Sequence, residues 1–133
     1  MKPSVPPFAP LSIHISRVLL ANSRSEDDDE ATPPDPFVHV SVSDEVATTR
    51  ALNDTLAGTL DQLFLFPNVS SDASIVLSVY DQDDDFNDMI GFVKTTPEAI
   101  WRSRVNGQLH FYTFNDSDGI IANITYGFPL ERR

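Results

Sequence analysis

The chain has 133 residues, of which 20 are acidic and 9 basic for a formal net charge of -11, with no cysteine and 41% apolar side chains; this describes one soluble globular domain. Without cysteine there is no disulfide framework, no thiol nucleophile and no cysteine-ligated zinc. No apolar run approaches the roughly 20 residues of a membrane-spanning helix, so no transmembrane segment is expected. The opening MKPSVPPFAP carries four prolines where a signal peptide needs an apolar helix, so the expected location is cytoplasmic.

Residues 1–10 read as a flexible proline-rich lead-in, 11–128 as the domain and 129–133 as a short tail. Period-two alternation then recurs, and no long helical pattern interrupts it. Leu11, Ile13 and Ile15 alternate with Ser12, His14 and Ser16, and Val38, Val40 and Val42 alternate with Phe37, His39, Ser41 and Ser43. Thr48 to Leu52 is a weaker run, followed by Gln62 to Phe66, which Pro67 is expected to end. Ile75, Leu77 and Val79 form the next apolar face, and Ile90 to Lys94 follows. Thr96-Pro97-Glu98 places a cap, a first-turn proline and an early acid ahead of Ala99, Ile100 and Trp101, which predicts a single helical turn with Trp101 as its buried anchor. Leu109 to Phe114 and Ile120 to Tyr126 are the last strands, separated by the turn-rich Asn115 to Gly119. The fold class is therefore all-β, an eight-stranded antiparallel β-sandwich.

The charge is local. Ser25 to Asp35 holds Glu26, Asp27, Asp28, Asp29, Glu30 and Asp35; Asp81 to Asp88 holds Asp81, Asp83, Asp84, Asp85 and Asp88; neither contains a Lys or Arg. Outside them nine acids face nine bases, too few and too scattered to make the basic stripe that nucleic acid requires. Five carboxylates within eight residues repel one another unless compensated. Calcium, which takes six to eight oxygen ligands in flexible geometry, suits such a cluster. Asp81, Asp83 and Asp85 match the first, third and fifth positions of an EF-hand loop, but Phe86 stands where that loop needs glycine and Phe92 where it needs a bidentate glutamate. The flanks are also strands, which excludes it. Both acidic segments instead join an odd-numbered strand to an even-numbered one, so a simple antiparallel order brings them to one pole.

These residues resemble the C2 domains, a family of calcium-dependent phospholipid-binding modules with a Greek-key sandwich. Asp35-Pro-Phe-Val-His-Val is similar to the family's Asp-Pro-Tyr-Val strand start, with Asp29 six residues upstream. Tyr80-Asp81-Gln-Asp83 followed by Asp88-Met-Ile-Gly91 resembles its third loop, and Thr49-Arg50 and Leu63-Phe64-Leu65-Phe66 resemble strand segments between the two. The resemblance spans Leu11 to Phe128. It departs at Ala57 to Gln62, which lacks the family's proline and tryptophan, and in the first loop, where Thr32-Pro33-Pro34 replaces a glycine; Asp27 or Asp28 could take the role of Asp29 if that loop is re-registered.

The resemblance implies that Asp35, Asp81 and Asp83 form a shared centre for two or more calcium ions, completed by Asp29 and Asp88, with backbone carbonyls from Asp28 and Gln82. It also implies the arrangement known as type II, with Ile120 to Tyr126 as the permuted edge strand and Asp116 or Asp118 near the same pole. The expected partner is an anionic phospholipid membrane, phosphatidylserine being the family's usual choice, contacted at calcium-loaded loops. Phe86 at a loop tip reads either as a membrane-inserting side chain or as packing over a neighbouring loop, and Met89 as strand core. Such a module would be cytoplasmic and peripheral at membranes when calcium is bound, as in signalling proteins. The competing reading is a calcium-independent protein-interaction or scaffold domain in which the acids are solvated.

Other features point to nothing further. His14, His39 and His110 sit at alternating polar-face positions, and no serine, lysine or histidine arrangement supplies a nucleophile with its base, so no enzyme is expected. Four Asn-x-Ser/Thr sequons, at Asn53, Asn68, Asn115 and Asn123, read as composition; Asn123 lies inside an expected strand.

Overall fold

The computed structural model describes residues 4–20, 34–82, 87–103, 108–113 and 118–127, with the backbone alone for residue 103 and residues 108–113. Its elements are β1 (Phe8–Leu19), β2 (Pro36–Val42), β3 (Glu45–Thr48), β4 (Ala57–Ser70), β5 (Ile75–Asp81), β6 (Asp88–Thr95), α1 (Pro97–Ser103), β7 (Gln108–Thr113) and β8 (Gly119–Tyr126). They form two four-stranded sheets ordered β4-β1-β8-β7 and β3-β2-β5-β6, with every pairing antiparallel. This is the expected sandwich.

The period-two pattern explains the core. Leu11, Ile13 and Ile15 of β1 are fully buried, as are Val38 and Val40 of β2 and Ile75, Leu77 and Val79 of β5, while the residues between them in β1 and β2 face outward. Ile120 and Ile124 from β8 and Leu60 from β4 complete the layer between the sheets. Burying each such aliphatic side chain contributes about 1.5–3 kcal/mol relative to leaving it in water.

Four sequence expectations change. The third strand runs from Glu45 to Thr48, ahead of the expected Thr48 to Leu52. A two-residue turn at Ser43 and Asp44, with Ser43 left-handed at φ 54°, already reverses the chain. Pro67 does not end β4, which continues to Ser70. β4 is an edge strand, and its register slips opposite Pro10, where Leu11 faces Phe66 and Ala9 faces Val69; an edge bulge is where a missing N–H is tolerated. β1 begins at Phe8, and the residues before it are docked: Val5 packs against the core, and the Pro7 carbonyl accepts from Ser71 N–H at 3.0 Å. β8 lies inside its sheet, between β1 and β7, and is not an edge strand.

The expected helical turn forms. Thr96 Oγ1 accepts the Ala99 N–H at 3.1 Å, capping α1. Half-buried Trp101 meets Tyr126 edge-on, ring centroids 6.5 Å apart. Gly127 takes φ 73°, and a Cβ there would stand 3.3 Å from the Trp101 ring, so both backbone and space favour glycine.

Candidate functional site

β1, β3, β5 and β7 all deliver their C-terminal ends to one pole of the sandwich. Leu19 at the end of β1 pairs with Gly119 at the start of β8, and Thr113 at the end of β7 pairs with the same Gly119. Leu20 N–H donates to the Leu56 carbonyl at 2.8 Å and Thr55 N–H to the Pro34 carbonyl at 2.9 Å, so the connections of the two sheets are tied together there. The strand ends that flank the two acidic segments, Leu20 and Pro34 for one and Gln82 and Asn87 for the other, share this pole.

Asp35 and Asp81 are brought together. Pro36 faces Asp81 in the β2–β5 ladder, which places Asp35 one step beyond the last rung. Its N–H donates to Asp81 Oδ1 at 2.9 Å, and its carbonyl accepts the Gln82 N–H at 3.0 Å. Asp88 opens β6 directly opposite Asp81. The first and last acids of the 81 to 88 segment are therefore a cross-strand pair, and Asp35 abuts it from the neighbouring strand. Like charges in that relation are destabilising unless something compensates them.

The third connection at this pole was not singled out in the sequence. Asp54 N–H donates to Asp35 Oδ1 at 2.6 Å. Thr49 N–H donates to the Val38 carbonyl and Leu52 N–H to the Pro36 carbonyl, each at 2.9 Å, so residues 49–56 lie stitched along the lead into β2. Asp54 holds φ 49°, and the Asn53-Asp54 pair, both tolerant of left-handed backbone, is the signal that could have marked this turn. Ala57 to Gln62, where the chain departs from the family pattern by lacking its proline and tryptophan, lies wholly within β4. It carries the bulge there, with Asp61 at φ 52° and its carboxylate accepting from His14 Nε2 at 2.7 Å.

Asp118, expected near the pole, is there at the start of β8 and only 3% exposed. Asp28, Asp29, Asp83, Phe86 and Asp116 lie outside the described residues. Among the described residues no three acids or histidines stand close enough to hold a metal ion by themselves; what they supply is hard oxygen donors at the ends of three adjoining strands, β2, β5 and β6, the chemistry calcium takes.

The outer face of the second sheet continues from the pole. Phe37 stacks on Tyr80 with centroids 5.5 Å apart, and His39 tilts against the same ring at 6.0 Å. Met89 pairs with Tyr80 and is 50% exposed, so it is not core as expected. The β-bulge between Val79 and Tyr80 shifts the β6 register and turns it outward.

Compared with known families, residues 12–111 match the profile of the C2 domain. The chain belongs to the C2 domain family. C2 domains are modules of membrane and lipid binding, and this one shares the fold of solved examples. With C2 domains A and B of extended synaptotagmin 2, calcium bound, the TM-score is 0.74 at 15% identity, covering 92% of this chain and 46% of that one. C2 domain A of a plant extended synaptotagmin 1 aligns at TM-score 0.71 and 15% identity over 95% of this chain and 99% of that one. Human GIVD cytosolic phospholipase A2 aligns at TM-score 0.71 and 18% identity over 99% of this chain but 18% of the enzyme. This C2 domain thus spans about half the length of the extended synaptotagmin 2 chain, given the 46% coverage. A comparison with curated proteins found no match. No helix among the described residues is long and apolar enough to cross a membrane.

Proposed function

We propose that this C2 domain binds calcium at its acidic pole and, so loaded, docks on anionic phospholipid. The observation that carries the reading is the junction of Asp35 with Asp81, an N–H to carboxylate bond of 2.9 Å between the ends of two adjacent strands, with Asp88 facing Asp81 across the next ladder. Asp35, Asp81 and Asp83 would form the shared centre of two or more ions, with Asp29 and Asp88 completing the carboxylate set and the Asp28 and Gln82 carbonyls adding neutral donors. Calcium when bound supplies positive charge and open coordination positions for phosphate or carboxylate oxygens of the headgroup. The chain's part is to hold its carboxylates in place before the ion arrives. Asp35 is held on both sides, by its own N–H on Asp81 and by Asp54 N–H on its Oδ1. Phe86 would enter the membrane beside the loaded loops, and the domain would work in the cytoplasm as a binding module without catalysis of its own.

Two opposing electrostatic states follow. Without calcium a pole with eleven acids in its two flanking segments repels an anionic surface; with calcium the sign of that interaction reverses. Co-sedimentation with phosphatidylserine-containing and with neutral liposomes, each in calcium and in chelator, tests this. Pelleting with anionic liposomes in calcium alone is expected. No pelleting in any condition contradicts the reading and directs attention to a protein partner that ignores calcium.

A further inference from the structure

Arg50 follows β3 at the pole where Asp35, Asp81 and Asp88 stand, yet no described carboxylate pairs with it. Its donors are spent on backbone and amide oxygen instead. Nη1 donates to the Leu60 carbonyl at 2.7 Å, Nη2 approaches the Thr59 carbonyl at 3.3 Å, and the Arg50 N–H donates to Gln62 Oε1 at 2.7 Å. β3 and β4 are edge strands of opposite sheets, so this side chain straps one sheet to the other where the sandwich would otherwise be open. Edge carbonyls need such partners, and a planar guanidinium can serve two at once.

The strap has a far end. The connection that Arg50 anchors to β4 is the same one that delivers Asp54 N–H to Asp35 Oδ1 at 2.6 Å. Leu52, midway along it, lies over Gly58, where a Cβ would stand 2.8 Å from Leu52 Cδ1. We propose that Arg50 is a positioning residue of the cation pole: by fixing the β3–β4 connection to the edge of β4, it holds Asp54 N–H on Asp35 and so orients that carboxylate toward a divalent cation. This rests on the calcium reading above. Partners that orient a ligand typically set about 10–100-fold of metal affinity, because an oriented carboxylate loses less freedom on binding.

The sign of the effect separates positioning from charge. By Coulomb's law alone, a guanidinium at an acidic pole opposes a divalent cation, so deleting it should tighten binding. Positioning requires that deletion weaken it.

The test is a calorimetric titration of the full chain with calcium, for wild type, Arg50→Ala and Arg50→Lys, at a temperature where the calcium-free proteins are folded. Arg50→Ala is expected to lose about 10-fold in affinity. Arg50→Lys, which keeps the charge but offers a point donor in place of a fork, is expected to fall between the two. In the calcium-free state, hydrogen exchange at the Asp54 amide should be faster in Arg50→Ala than in wild type. Should Arg50→Ala not fold, Arg50→Lys carries the comparison, since a role of charge alone leaves it equal to wild type. Wild type binding calcium with Arg50→Ala unchanged or tighter overturns this inference and leaves the calcium reading standing. A wild type that binds no calcium overturns both.

Discussion

The two poles of the sandwich are finished in opposite ways. At one, α1 lies across the end, Trp101 meets the ring of Tyr126, and the Tyr126 hydroxyl donates to the Val69 carbonyl at 2.7 Å with the Pro6 carbonyl at 3.1 Å. That end is closed by apolar contact and neutral hydrogen bonds. At the other, Asp35, Asp81 and Asp88 stand on neighbouring strands, the first two held by backbone N–H groups, with Asp118 buried close to the ends of β1 and β7. The two ends therefore differ in kind: one is closed by aromatic packing, and the other gathers carboxylates that packing does not neutralise.

Breaking the closed pole should therefore cost stability without altering the response to calcium. Trp101→Ala is expected to lower the unfolding free energy by about 2 kcal/mol, since the side chain is half-buried and large apolar side chains contribute about 1.5–3 kcal/mol when fully buried; chemical denaturation measures it, and the calcium-induced shift in melting temperature should be unchanged. Tyr126→Phe comes next, at about 1–2 kcal/mol, because it leaves the Val69 carbonyl without its donor. It also has a signature in pH. Burial first, and the charge of Asp72 second, raise the Tyr126 phenol above its ordinary 10.0. A raised pKa means that the fold favours the protonated phenol, so this contribution is whole below about pH 10 and is lost as pH rises through the folded value. Wild type should lose stability above about pH 10 more steeply than Tyr126→Phe. Least of all, Arg102→Ala, which removes the exposed i,i+4 pair with Glu98 at 3.0 Å, should cost about 0.2–0.5 kcal/mol and nothing at the acidic pole.

Much of this contrast can be read from the residues. Alternation in Val38-Val40-Val42 and Ile75-Leu77-Val79 identifies central strands because each has one face against the other sheet, and the Asp35-Pro-Phe and Asp81 to Gly91 patterns name the pole. Legibility failed where burial is weak. Glu45–Thr48 carries no clear apolar face, since β3 is an edge strand with no fully buried residue, so Thr48 to Leu52 drew the assignment instead. Pro67 looked like a stop because the edge position that tolerates it is a property of sheet order. Asp54 and Arg50 act through backbone N–H and carbonyl groups, which nearly every residue possesses; their roles depend on where the β3–β4 connection lies, and composition carries no trace of it.

The most direct test of the account is the melting temperature of the full chain as calcium is raised, for wild type and for Asp81→Asn with Asp83→Asn. Binding to the native state at about 100 times the dissociation constant should stabilise wild type by about 2.7 kcal/mol and raise its melting temperature by several degrees, while the double variant stays flat. A wild type that does not shift, or a double variant that keeps the full shift, would contradict calcium binding at this pole.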